Sequence, residues 1–356
     1  MLSSRLRHKA TFVSALVVVA AIAGATWASP SASAAPPFAS APFLIYKAKG
    51  LRSPPAVSGH TVVWSDGYFR ESASDVLGYD LATKRQSVIA DGPGFQEAPA
   101  VSSDWVVWRE GPVGSQYAEG SGVSAYDLGT KTSVVVVRLT RTEDLISPPD
   151  IEGRTVVWCE DWGEVWRYDL ADSAATPSLV CDTAVATSID RPPAISDGTV
   201  VWLAGDTGLG GNGHRNVWGC DVSGGEPFLI REQVYSQVAP VISGDVVVYC
   251  RRSQKRYCLF GYDLSTKREF LLYRPKFGLP AQPRISGDIV VWGQVDGEYG
   301  ESKVYGYDLS QKVKFPICTI AGDWSEPDIS GNLVVWVRTW QDHRYGIYGA
   351  RLTRRP

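Results

Sequence analysis

The stretch "PDISGNLVVW", Pro327 to Trp336, decides how the chain is read, because it is one of seven. Its relatives are "PAVSGHTVVW" (55–64), "PAVSSDWVVW" (99–108), "PDIEGRTVVW" (149–158), "PAISDGTVVW" (193–202), "PVISGDVVVY" (240–249) and "PRISGDIVVW" (283–292). The closing aromatic recurs about every 45 residues, the period of a four-stranded propeller blade. Each copy leads to a second element: "VLGYDL" (76–81), "VSAYDL" (123–128), "VWRYDL" (165–170), "VWGCDV" (217–222), "LFGYDL" (259–264), "VYGYDL" (304–309) and "IYGARL" (347–352). A short turn such as "STK" and a further apolar strand such as "REFLLY" (268–273) complete the unit. The β-branched runs alternate with Gly and Pro punctuation, and no long 3.6-residue period appears, so the chain is all-β.

The two ends predict how the ring closes. The last unit stops after its third strand, and the first is preceded by an orphan strand, "PFLIYK" (42–47). That strand is expected to complete the seventh blade, because an open sheet edge invites aggregation. The expected architecture is a single seven-bladed β-propeller over 42–356, preceded by a flexible Pro/Ala/Ser-rich segment at 35–41. The Trp series fills the wedge between neighbouring sheets, and the Ser-Gly turns supply positive φ. Asp80, Asp127, Asp169, Asp221, Asp263 and Asp308 stand just before tight turns. Their carboxylates are expected to bind backbone amides there, a structural role rather than a catalytic one.

Residues 1–34 read as a signal peptide: Arg5, Arg7 and Lys9, an apolar run from Phe12 through Ala28, then "ASA" at 32–34. Cleavage after Ala34 leaves an exported chain with no membrane span and a localisation that is secreted or extracellular. Three of the 35 basic residues and none of the 38 acidic ones lie in 1–34, so the remainder carries a net charge of about −6. That balance excludes a general nucleic-acid binder.

The Pro-x-Ile-Ser-Gly, Val-Val-Trp and aromatic-x-Tyr-Asp-Leu elements resemble the TolB-like and related bacterial and archaeal cell-surface propeller repeats, over about residues 42–352. "SGD" or "SGN" stands where the TolB repeat has "SPDG", and no TolB-style α/β domain precedes the repeats. The resemblance implies the fold; propellers of this kind serve as interaction platforms or as glycan-handling enzymes, so it does not select a function.

No G-x-S-x-G, H-E-x-x-H or calcium-loop motif occurs, so no catalytic residue, metal ligand or cofactor is expected. Loops between second and third strands, and between blades, read as long and share one face of the ring. Binding residues concentrate on such loops. The candidate ligand contacts are Tyr68, Arg70, Trp162, His214, Tyr299, Trp324, Trp340, His343 and Arg252 of the basic loop "RRSQKR" (251–256). The leading expectation is a secreted, monomeric, non-catalytic module that recognises a protein or a cell-surface glycan through that face. The alternative is an extracellular carbohydrate-active lyase or hydrolase with its site at the mouth of the central channel. Cys250 and Cys258 flank the basic loop and are expected to form a disulfide; Cys159, Cys181, Cys220 and Cys318 are unassigned.

Overall fold

In the computed structural model, the residues described are 37–48, 50–51, 53–67, 73–113, 119–140, 145–160, 163–183, 191–205, 215–232, 234, 238–276, 278–295, 302–319, 326–339 and 345–353. Residues 1–36, read as the signal peptide and the start of the connecting segment, lie outside them. Alternation along "VVW" explains the architecture. In blade 1, Val62 and Trp64 pack in one core with Ile347 and Val335 of blade 7, whereas Val63 packs in another with Val106 and Trp108 of blade 2. Both faces of every second strand are therefore buried, so each repeat is stable only between two others. The same division gives one apolar core for each blade-to-blade interface around the ring. Trp64, Trp158, Trp202, Trp292 and Trp336 are essentially sealed, as is Tyr249 in blade 5. The Tyr249 hydroxyl donates to Glu269 Oε1 at 2.6 Å.

Each blade is a four-stranded antiparallel meander. Blade 1 runs Ala56–Ser58, Thr61–Asp66, Asp75–Asp80 and Arg85–Ala90. Blade 7 contributes Pro327–Ser330, Leu333–Thr339 and Tyr345–Thr353 from the end of the chain. The N-terminal strand Phe43–Ala48 pairs antiparallel with Tyr345–Thr353 and supplies the missing fourth strand. Within the segment read as a flexible connection, Phe38–Ala39 also pairs, opposite Thr353 and Leu352. The pairing of third and fourth strands carries a β-bulge in all seven blades. An extra residue at that point increases the local twist of the outer edge.

The repeat serine has a use that its place beside a glycine concealed. Ser58 Oγ of blade 1 accepts the backbone N–H of Ser103 in blade 2, and Ser102 Oγ accepts that of Gly153 in blade 3. Ser196, Ser243 and Ser286 continue the pattern to Gly244, Gly287 and Gly331. Glu152 stands in for serine in blade 3, its carboxylate accepting from Asp197 at 2.8 Å. Ser330 closes the circle onto Gly59 of blade 1 at 3.0 Å. Each accepted N–H belongs to a turn residue with φ between 47° (Asp197) and 59° (Gly153). The turn is thus held in its left-handed geometry by the preceding blade.

The recurring Asp residues act as expected. Asp80 Oδ1 accepts from the amides of Ala82 and Thr83, and Asp127, Asp169, Asp221, Asp263 and Asp308 repeat the arrangement in their own turns. Amide bonds from Thr83 and Thr130 hold the Asp80 and Asp127 carboxyls below the usual carboxylate range.

Two expectations are corrected in blade 5. "RRSQKR" is not a long loop: Val246–Ser253 and Arg256–Asp263 pair up to a two-residue turn at Gln254 and Lys255, both at positive φ. The register sets Cys250 opposite Leu259 and Cys258 opposite Arg251. A one-residue offset turns side chains to opposite faces, and the two sulfurs lie in different cores, Cys250 toward blade 6 and Cys258 toward blade 4. The expected Cys250–Cys258 disulfide does not form.

Candidate functional site

The first strands of the blades succeed one another around the axis and enclose a central channel of about 520 Å³, within the range of small-ligand pockets. A first strand is the inner edge of its sheet and borders the channel. Prolines at 55, 99, 149, 193 and 240 enter these strands and line the wall, removing one donor each. The residue after the repeat proline also lines the channel: Ala56, Ala100, Asp150, Ala194, Val241, Arg284 and Asp328. Four of the seven are apolar and small or medium-sized, which keeps the passage open. The other three carry charge.

Asp328 Oδ2 accepts the N–H of Val57 at 2.7 Å, and its Oδ1 lies 3.6 Å from Arg284 Nε. Asp150 Oδ2 accepts the N–H of Ile195 at 3.0 Å. Both aspartates therefore clip one blade to the next while presenting carboxylate to the channel. Burial pushes Asp150 up to about 6 and raises Asp328 also; Arg284 opposes the shift in both. Asp150 in blade 3 feels Asp328 and Arg284 of blades 7 and 6, so the charges address one another across the axis.

Blades 2 and 6 depart from the pattern. Their first strands, Phe95–Ser102 and Pro280–Ser286, are longer and each is broken by a bulge. Ala98 (φ 50°) and Gln282 (φ 45°) occupy the bulges, and both line the channel. Left-handed backbone at a non-glycine residue is strained and is often retained at functional sites. The blade 2 bulge also positions Glu97, which pairs with Arg109 at 2.5 Å. Arg109 additionally donates to Ile146 O at 3.2 Å. Arg191 and Glu326 complete the charged lining. The channel therefore offers carboxylates to a cation, guanidinium groups to an anion, and strand edges to an extended chain.

Of the ligand contacts expected from sequence, Tyr68, Arg70, Trp162, His214, Tyr299, Trp324, Trp340 and His343 lie outside the described residues. Arg252 is described, exposed on the blade 5 hairpin opposite Tyr257 and away from the channel lining. The channel charges stand at a variable position of the repeat and not among its constant residues. The available signal was the variable position after the proline, where Asp150, Arg284 and Asp328 break a run of Ala and Val.

No protein-family model matches the chain, and no curated protein matches it. Solved structures do. The chain is similar to the β-propeller domain of the Trilobed protease from Pyrococcus furiosus, with TM-score 0.62 and 13% identity over 88% of this chain and 96% of that one. It is similar to a Mycobacterium tuberculosis puromycin-hydrolysing peptidase, with TM-score 0.62 and 14% identity over 85% of this chain and 53% of that one. A Pyrococcus horikoshii acylaminoacyl peptidase gives TM-score 0.58 and 12% identity over 87% of this chain and 52% of that one. The chain spans about half the length of those two peptidases. The Pyrococcus furiosus propeller is described as having an open velcro topology, whereas here the N-terminal strand closes blade 7. At these identities the likeness carries the fold, and the protein is a seven-bladed β-propeller. The expectation of a non-catalytic binder of a protein or glycan, with its carbohydrate-enzyme alternative, is corrected by these three neighbours, which are a protease propeller and two peptidases.

Proposed function

We propose that the chain is a peptidase-related propeller that admits an extended peptide to its central channel, working with a peptidase catalytic domain. The observation that supports this most directly is the channel itself, with Asp150, Asp328, Glu326, Arg191 and Arg284 around strand edges. A peptide brings what this lining complements: an ammonium or guanidinium for the carboxylates, a carboxylate for the arginines, and backbone groups for the edges. The reading includes kinship with TolB-like surface repeats and export, supported by the repeat motifs and by the basic-then-apolar start of the chain.

The test is fluorescence anisotropy with labelled pentapeptides of differing charge, titrated into the native chain and into Ala100→Trp and Ala194→Trp, which narrow the passage. Native binding that weakens at least tenfold, ~1.4 kcal/mol, in both variants supports the channel. If no peptide binds the native chain, or both variants bind as it does, the reading fails.

A further inference from the structure

We infer that Cys181 and Cys220 form a disulfide that staples blade 3 to blade 4 when the chain meets an oxidising compartment. Cys181 lies in the fourth strand of blade 3, Ser178–Asp182, and Cys220 in the third strand of blade 4, Arg215–Asp221. Their sulfurs are 2.7 Å apart, within about 1 Å of the ~2.05 Å covalent bond. Both are buried in the core shared by the two blades, beside Ile195 and Trp202. Only a small closing movement separates the thiols from a bond.

The repeat carries an independent sign. Cys220 occupies the place held by tyrosine in the "YDL" element, at Tyr79, Tyr126, Tyr168, Tyr262 and Tyr307. The exchange for cysteine occurs in the blade whose neighbour brings Cys181 against that position. A tyrosine there would fill the space the two sulfurs share.

A third cysteine in this core, Cys159, has a different fate. On blade 3 it stands opposite Val165, and Val165 stands opposite Cys181. Two strand spacings, ~9.5 Å in all, exceed the ~7 Å limit on Cα separation for a disulfide. Cys159 is instead packed beside Ser147, whose hydroxyl accepts its backbone N–H at 2.9 Å. It remains a thiol.

The chemistry is thiol–disulfide exchange. One cysteine, as thiolate, attacks a donor disulfide and displaces a thiol. The second then attacks the mixed disulfide and releases the other donor thiol, so two electrons and two protons pass to the donor. The exchange occurs during folding, before the blades close over both sulfurs.

The test uses the full chain refolded with oxidised glutathione. Free thiols are then alkylated under denaturing conditions, and peptides are mapped without reduction. A linked pair containing Cys181 and Cys220, with Cys159 alkylated, is the expected result. Reduction should lower the melting midpoint by about 5 °C or more, a response absent from Cys181→Ala and Cys220→Ala. Alkylation of both Cys181 and Cys220, or a Cys159–Cys181 linkage, overturns the assignment whether or not the variants fold.

Discussion

Ser330 in blade 7 accepts the N–H of Gly59 in blade 1 at 3.0 Å, across 271 residues of sequence. It is the same bond that joins Ser243 to Gly287 within the body of the ring. The seam is therefore built like any other interface. One exposed bond of this kind is worth ~0.5–1 kcal/mol. Ser330→Ala and Ser243→Ala should lower the melting midpoint by similar amounts, about 1–3 °C. A loss at Ser243 with none at Ser330 would show that the seam bond is idle.

The N-terminal strand carries more. Ile45 is buried in the core with Trp64 and Ile347, and the Tyr46 ring packs tilted against Trp64, 4.8 Å between ring centroids. Ile45→Ala should cost ~2–4 kcal/mol, read by denaturant unfolding. A cost below ~1 kcal/mol would mean that the strand is only loosely docked.

Glycines of the third strands sit beneath aromatic rings of the fourth. Gly306 stands opposite Phe315 and Gly261 opposite Phe270, and a Cβ at either glycine would collide with the ring. The rings differ in freedom: Phe315 is 4% exposed and Phe270 is 37% exposed. Gly306→Ala should therefore cost ~2 kcal/mol or more by overpacking, and Gly261→Ala less, because its ring can swing outward. Equal losses would refute the steric account.

Asp150 gives the stability a pH dependence. Its carboxyl titrates near 6 in the fold, above its ordinary value. The folded state then binds more protons than the unfolded one between ~4 and ~6, so this group's contribution to stability falls as pH rises through that window. Asp80 and Asp127, held low, act oppositely and lose their contribution as pH drops below about 4. Asp150→Asn keeps an oxygen for the Ile195 amide and removes the charge. Its melting midpoint relative to the native chain should be highest near pH 7 and should decline toward about pH 4.5. A difference independent of pH would sink the assignment.

The sequence by itself determined the number of blades, the all-β class and the closure by "PFLIYK". The reason is that repeats bury both faces against copies of themselves, so the pattern must recur wherever the packing does. The wedge-filling tryptophans and turn-capping aspartates were legible for the same reason; each is local to its own repeat. What only the tertiary structure decided lies between repeats. The serine latches and the Asp150 and Asp328 clips join residues 44 or more positions apart, and no local pattern marks a partner in the next blade. Register was equally out of reach. A shift of one residue separates Cys250 from Cys258 and gives no trace in composition, while Cys181 and Cys220 meet because two different blades place their strands together. The channel site arose in the same way, from single departures at one repeat position that acquire meaning when seven strands turn that position toward a common axis.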